Sequence, residues 1–226
     1  MGNSRGVDFE RDRRFTSGIL TIPEANVILD IPIDTVQAWV GQRSDRPQVV
    51  TRIRPAKRGW PSIPLVGMVE ASTLRALRAQ NLPNEDVMAA ARWYRGLAEH
   101  PYPLADQRLV TDGFRAFIAH PDNKLTRLVY GQEAFRESVE QYLRPVVWAE
   151  DHYPEAFRVE RIPGVVIDPR FNAGRMSFER NRVPVFAVAG SLEAGEPLDE
   201  VADMYHLTQD EVGAVDEWRD WLEVAA

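Results

Sequence analysis

The stretch LTIPEANVILDIPIDTVQAWV, residues 20–40, decides the fold of the N-terminal part of this chain. Thr21 and Glu24 have the spacing of a capping box, in which each side chain bonds the other residue's backbone N–H. Pro23 falls in the first turn, where a missing N–H costs nothing. A short helix is therefore predicted from Thr21 up to the Asp-Ile-Pro sequence at 30–32, which ends it.

A second helix is predicted over residues 33–42, because Val36, Trp39 and Val40 recur at helical spacing. Two short helices joined by a tight turn are typical of a helix-turn-helix, whose second helix leaves one face free for the DNA major groove. Glutamine can bond an adenine edge twice, and threonine can bond bases or touch a thymine methyl. The face expected to meet DNA carries Thr35, Gln37, Ala38 and Gln42, with Asp34 at its start.

A basic segment follows this pair of helices. Residues 49–54 alternate as a β-strand does, the turn PAKRG follows at 55–59, and residues 60–63 can return as a second strand. We expect the cations of this hairpin, and two more just after the second helix, to contact phosphates, so that affinity falls steeply with salt. These cations are Arg43, Arg46, Arg52, Arg54, Lys57 and Arg58.

Two longer helices, predicted over 65–79 and 83–98, complete a unit that resembles the N-terminal module of MerR-like transcription regulators. That family's signature is T-x-x-E-A followed by a second helix ending in T-x-R-x-W. This chain carries Gln37-Ala38 where many relatives have a basic pair, and Asp34 adds a negative charge near the helix start. An alternative interpretation is a helix-turn-helix that serves packing only.

The remaining segments are predicted as follows. Residues 1–14 are predicted to be disordered, being charged and without periodicity. Residues 15–105 form the DNA-binding domain, 106–156 a mixed α/β connecting segment, and 157–226 a second helix-turn-helix domain. The fold class is mainly α with small β elements. The connecting segment has strands at 108–111, 114–119 and 125–130 and a helix at 133–143; the last domain has strands at 157–161 and 165–168 and helices at 185–192, 197–205 and 208–222.

The last domain resembles the small antitoxin family catalogued as domain of unknown function 433 (DUF433), over about residues 158–222. The shared pattern is DP at 168–169, VPV at 183–185, AGE at 194–196 and YHLT at 205–208. The family's Gly-x-Pro and Gly-Thr sequences are replaced at 174–176 and 181–182.

Acidic residues on the second helix of this unit, Asp210, Asp216 and Glu217 beside Gln209, would repel DNA phosphates. We therefore expect a protein contact here, by dimerisation or with a basic patch of a partner. The alternative is that the apolar residues of this surface belong to the core. They are Phe186, Val188, Trp218, Trp221 and Leu222.

Charge is segregated along the chain. Residues 1–60 hold ten Lys/Arg and seven Asp/Glu, whereas residues 186–226 hold eleven Asp/Glu and the single base Arg219. Such asymmetry suggests that the two ends meet different partners. The chain has no cysteine, no apolar run long enough to span a bilayer and no secretory signal, so a cytoplasmic location is expected.

Together the two resemblances match the larger VapB-type antitoxins. This resemblance implies a PIN-domain ribonuclease as partner, repression of the protein's own operon, and a homodimer on double-stranded DNA. The alternatives are a MerR-like regulator without a toxin partner, or an assembly adaptor without a DNA role. No catalytic, metal or cofactor site is predicted, because the four histidines are scattered and no glycine-rich phosphate loop occurs.

Overall fold

The computed structural model describes residues 7–41, 47–79, 82–108 and 132–225. Helices dominate these ranges and a small sheet accompanies them, which confirms the predicted fold class. The helices are α1 Arg13–Thr16, α2 Ile22–Ile28, α3 Ile33–Trp39, α4 Leu65–Arg78, α5 Asn84–Leu97, α6 Gln132–Leu143, α7 Val185–Glu193, α8 Leu198–Tyr205, α9 Gln209–Glu217 and α10 Arg219–Ala225. The strands are β1 Val146–Trp148, β2 Pro154–Arg158, β3 Val165–Ile167 and β4 Ser177–Phe178.

The helix-turn-helix is present where the sequence predicts it. Thr21 is the N-cap of α2, and the complete capping box with Glu24 is formed. Helix α2 contacts α3, in which Trp39 is 1% exposed and donates its indole N–H to Asn84 Oδ1 at 2.8 Å. This bond ties α3 to the first turn of α5. Trp39 therefore pins the helix-turn-helix to α5.

The predicted β-hairpin over 49–63 is wrong. Residues 51–62 form an irregular loop, which we call the basic loop, with a backbone bond from Ile53 N–H to Ser62 C=O at 2.8 Å. Pro55 and Pro61 bracket the turn and offer no N–H, so a regular ladder between the two sides cannot form. A bridge between Leu20 and Ile63 anchors the end of the loop to the start of the helix-turn-helix.

Helix α4 is the central helix, and it contacts α1, α5, α6 and β2. A Cβ at Gly67 would lie 2.3 Å from the carbonyl oxygen of Thr51, so only glycine permits this close approach to the basic loop. The fully buried Glu70 accepts the Thr51 N–H at 2.5 Å and pairs with Arg95 of α5. Burial raises the pKa of Glu70, and the Arg95 charge opposes that shift.

Residues 7–14 are ordered, contrary to the predicted disorder. The rings of Phe9 and Phe15 pack with those of Tyr102 and Tyr153 at centroid distances of 4.9–5.4 Å. Arg14 donates to Asp151 at 2.5 Å and also bonds Asp12, the N-cap of α1. The partners of these side chains lie far away in the sequence, so a local pattern gave no sign of them.

The four strands form one antiparallel sheet in the order β1-β2-β3-β4. Helix α6 and strands β2 and β3 lie close to their predicted positions, whereas β1 and β4 were not predicted. The strands predicted in the connecting segment, apart from residue 108, lie outside the described residues.

The C-terminal unit contains α7 to α10 and packs on the helix-turn-helix. The helix predicted over 208–222 is two helices, since the chain turns at Trp218 between α9 and α10. Helix α10 contacts α2, and Gly174, with φ +80°, leaves no room for a Cβ against Ile19. Buried residues from all these segments form one continuous core, and the predicted domain boundaries stay predictions.

Candidate nucleic-acid interface

A groove of about 470 Å³ runs between the helix-turn-helix and the basic loop. We call it the loop–helix groove. One wall comes from the start of α2 and from α3, and the other from the basic loop. Its lining residues are Thr21, Ile22, Pro23, Ile33, Gln37, Arg52, Pro55, Arg58, Gly59, Trp60 and Ser62. The groove therefore brings one predicted base-reading residue next to two predicted phosphate-binding residues.

The charge around this groove is positive. Arg54, Lys57 and Arg58 are exposed, while Arg52 is half-buried and donates to Ser62 Oγ at 3.2 Å. Within the part of the chain that the structure describes, none of these four cations forms an ion pair with a carboxylate. Their charges are therefore available to an anionic ligand, and none of the described residues that line the groove is acidic.

The remaining residues predicted to meet DNA divide into three groups. Thr35 of α3 is half-buried, as Gln37 is. Gln42, Arg43 and Arg46 lie outside the described residues. Ala38 was predicted to be exposed, and this is wrong, because it is 8% exposed and belongs to the core. The chain folds back over the end of α3, where the Trp39 carbonyl accepts the N–H groups of Val49 and Val50.

Trp60 was not among the predicted site residues. It lies in the basic loop with 52% of its surface exposed, and Lys57 Nζ stands 5.2 Å from its ring centroid. The sequence-based prediction placed Trp60 in a β-strand, over residues 60–63. The signal that could have found it is the run Lys57-Arg58-Gly59-Trp60, in which an aromatic side chain directly follows a basic turn.

The exposed charges of the C-terminal unit are of the opposite sign. Eight carboxylates of this unit are exposed, and five of them lie on α8 and α9, namely Asp199, Glu200, Asp203, Asp210 and Glu217. Asp216, predicted to be exposed, is half-buried and pairs with Arg219 at 2.9 Å. This surface would repel a phosphate backbone, in contrast to the basic loop.

The predicted protein interface is only partly exposed. Phe186 is 51% exposed, but Val188 and Leu222 are 0% and 6% exposed, so the expectation that they form a surface is wrong. Val188 lies one helical turn from the buried Val185 on the inner face of α7, and Leu222 lies on α10, which packs against α2. Trp218 and Trp221 are half-buried beneath Arg161, as described next.

Arg161 lies over both tryptophans, with its guanidinium carbon 4.6 Å from the ring centroid of Trp218 and 5.6 Å from that of Trp221. The indole N–H of Trp221 is buried and has no hydrogen-bond partner among the residues that the structure describes. These two residues thus belong to the edge of the core as much as to the surface.

The described residues contain no group of three metal-ligating side chains. In the same part of the chain, no helix has the length and apolar character needed to cross a membrane.

Two family profiles match the chain. Residues 19–91 match the family described as "Putative DNA-binding HTH domain", and residues 165–216 match the family "Protein of unknown function (DUF433)". The chain thus contains a helix-turn-helix domain of the first family and a DUF433 region. The DUF433 resemblance is therefore confirmed, and the helix-turn-helix match covers the predicted helix-turn-helix, while the resemblance to MerR-like regulators stays a prediction.

A curated relative covers nearly the whole chain. The protein named "Putative antitoxin VapB45" from Mycobacterium tuberculosis (strain ATCC 25618 / H37Rv) is 30% identical over an alignment of 244 residues. The alignment covers 97% of this chain and 98% of the relative. The chain belongs to the family of this VapB45 antitoxin. The X-ray crystal structure of Rv2018 from Mycobacterium tuberculosis has a TM-score of 0.74 and 28% identity, covering 89% of this chain and 98% of that one.

Proposed function

We propose that this protein is the antitoxin of a type II toxin–antitoxin pair. In this proposal it neutralises a PIN-domain ribonuclease toxin and represses its own operon by binding the operator as a homodimer. Membership in the family of a protein named as an antitoxin supports the first part, and the helix-turn-helix profile supports the second. A cytoplasmic location and the absence of catalysis belong to the same proposal.

The loop–helix groove carries the DNA-binding part of the proposal. Gln37 lies in one wall and Arg52 and Arg58 in the other, so a single bound strand could meet a base-reading amide and two cations at once. Phosphate contacts position a protein on the duplex, and base-edge contacts supply specificity. We assign phosphate contacts to Arg52, Arg54, Lys57 and Arg58, and base contacts to Thr35 and Gln37.

The C-terminal unit is proposed as the surface for a polypeptide partner. Its exposed carboxylates on α8 and α9 oppose DNA and favour a basic partner. Three exposed apolar side chains of the same unit, Phe186, Leu198 and Met204, could pack at the centre of such a contact. Trp218 and Trp221 would contribute only at its edge, because Arg161 already covers them.

The DNA-binding part is tested by a gel shift with the DNA upstream of the protein's own gene. Binding should weaken steeply as salt rises, because phosphate contacts release counterions. Arg54→Ala combined with Lys57→Ala should lower affinity for operator and unrelated DNA about equally. Asp199→Ala with Glu200→Ala is the matched control and should leave binding unchanged. Absent or salt-insensitive binding would overturn this part.

The toxin part is tested with the product of the neighbouring gene. That product should co-purify with this protein, and its ribonuclease activity should fall when the complex forms. A protein that binds its upstream DNA but no neighbouring nuclease is instead a MerR-like regulator without a toxin partner. If the basic-loop variant retains function and Trp221→Ala disrupts assembly, the protein is an adaptor without a DNA role.

A further inference from the structure

We propose that Trp60 contacts the DNA duplex directly, packing its indole ring against a deoxyribose or base edge of the strand in the loop–helix groove. This inference rests on the proposed DNA binding and adds a non-ionic contact to it. Three features of the molecule support it: the exposure of the ring, the chemistry of its surroundings, and the fixed position of the loop.

The exposure of Trp60 requires an explanation. Trp39 is almost fully buried, whereas Trp60 exposes 52% of its surface to water. An aromatic ring of this size is among the most favourable groups to bury, and tryptophan is enriched at interfaces, where one part of the side chain is apolar and another part is in contact with water. Lys57 lies on the ring and is itself exposed, so it shields the ring only in part.

The surroundings of Trp60 favour an anionic ligand that also has a flat or apolar surface. The groove contains two guanidinium groups, Arg52 and Arg58, and the hydroxyls of Thr21 and Ser62, and no described residue adds a carboxylate to its lining. Nucleotides combine phosphate charge with a sugar and base on which an indole ring can pack. Duplex DNA is favoured over an acidic peptide because Gln37, in the helix that reads bases in this class of domain, forms the opposite wall.

The position of Trp60 relative to α3 is held by the backbone. Gly59 has φ +85° and so turns the chain into Trp60, whose N–H bonds the Lys57 carbonyl at 3.1 Å. The N–H groups of Ser62 and Ile63 donate to the Leu20 carbonyl at 2.8 and 2.9 Å. Because Leu20 directly precedes the N-cap of α2, the loop is fixed to the reading unit and the ring needs little ordering on binding.

Fluorescence anisotropy with a labelled duplex of the upstream DNA, measured at several salt concentrations, tests the proposal. Alanine removes the whole aromatic contact, so Trp60→Ala should raise Kd by at least about fivefold. The slope of log K against log salt should stay as in the wild type, because no phosphate contact is lost. Trp60→Phe should recover much of the affinity.

Two comparison variants make this result specific. Arg54→Ala, which removes one exposed cation from the same loop, should reduce the salt slope by about one. Leu97→Ala removes a large apolar side chain of α5 that is 56% exposed and has no role in either proposed surface, and it should leave DNA binding unchanged. Thermal melts of all variants verify that each is folded.

The proposal is overturned if folded Trp60→Ala binds the duplex as tightly as the wild type, or if its salt slope falls as that of Arg54→Ala does. It is also overturned if the substitution spares DNA binding and weakens binding of the neighbouring gene product. Failure of the wild type to bind any duplex would refute the proposed DNA binding, and this inference with it. Wild-type binding that Trp60→Ala does not alter refutes this inference alone.

Discussion

In the N-terminal helix-turn-helix, Thr21 and Glu24 close a capping box on α2, and in the C-terminal unit Thr208 and Glu211 close the same box on α9. Around the first box the basic loop displays exposed cations, although Asp30 and Asp34 are exposed as well. Around the second box α8 and α9 display exposed carboxylates, and Arg180 pairs with Glu211 of the box itself. The same capping-box motif thus begins a helix in two surfaces of opposite charge. The backbone motif alone does not determine the ligand, and the charges displayed on it discriminate between DNA and protein.

The two units also differ in how deeply their tryptophans are buried. Among the substitutions considered, Trp39→Ala should lower the free energy of unfolding most. Trp39 is 1% exposed and bonded to Asn84, so Trp39→Ala should lower the free energy of unfolding by about 3–5 kcal/mol. Trp221 is half-buried, and its indole N–H has no partner among the described residues, so Trp221→Ala should cost clearly less. Urea denaturation followed by circular dichroism measures both. Equal losses would mean that Trp221 is as much a core residue as Trp39.

Exchanging the charges tests the contrast between the surfaces directly. Lys57→Glu with Arg58→Glu should weaken DNA binding by about a hundredfold, or ~2.7 kcal/mol, because two attractions become repulsions. The reciprocal change Asp199→Lys with Glu200→Lys should not weaken DNA binding, and should instead weaken binding of a basic partner. Titration by gel shift and a pull-down with the neighbouring gene product measure the two effects. A loss of DNA binding in the second variant would contradict the division of roles.

The features that could be predicted from the sequence are those that arise within one segment. Both capping boxes, the pin at Trp39 and the two long helices after the basic loop follow from spacing over a few residues. The sequence predicts the positive charge of the candidate interface, but it does not predict the conformation of its backbone. Two prolines exclude the hairpin there, and an aromatic side chain takes part in the groove.

The features that were missed depend on contacts between distant segments. Leu222 was expected on a surface and is buried, since α10 packs on α2, almost two hundred residues earlier in the chain. Phe9 and Phe15 are ordered by tyrosines beyond residue 100. A sequence pattern reports which side chains are apolar, but not which distant segment will cover them.

Removal of either capping threonine should have similar effects on stability and different effects on binding. Thr21→Ala and Thr208→Ala should each lower the free energy of unfolding by about 1 kcal/mol, the usual cost of losing an N-cap side chain. Only Thr21 lines the loop–helix groove, so only Thr21→Ala should also lower DNA affinity. Thermal melts and anisotropy, applied to both variants, separate the two effects. A Thr208→Ala protein with reduced DNA affinity would mean that the units are coupled.

The smallest expected effect is a pH dependence of the stability that Glu211 contributes through the capping box of α9. The hydrogen bond from Arg180 at 2.7 Å, together with the Thr208 N–H, holds the pKa of Glu211 below its ordinary value of 4.5, despite partial burial, which raises it. Because the folded pKa is the lower one, the stabilisation is fully present above the ordinary pKa. It is lost as the pH falls through the lowered pKa of the folded state.

Glu211→Gln should therefore be less stable than the wild type by at most about 1 kcal/mol near neutral pH, since Arg180 is half exposed and such pairs are weak. The difference should stay constant from pH 8 to pH 6 and shrink below about pH 4.5. Glu217→Gln, the same substitution at an exposed position of α9, controls for the loss of a negative charge from this surface. A difference that grew on acidification would mean that the carboxylate is not stabilised by Arg180, and that the second box is held by the Thr208 side chain alone.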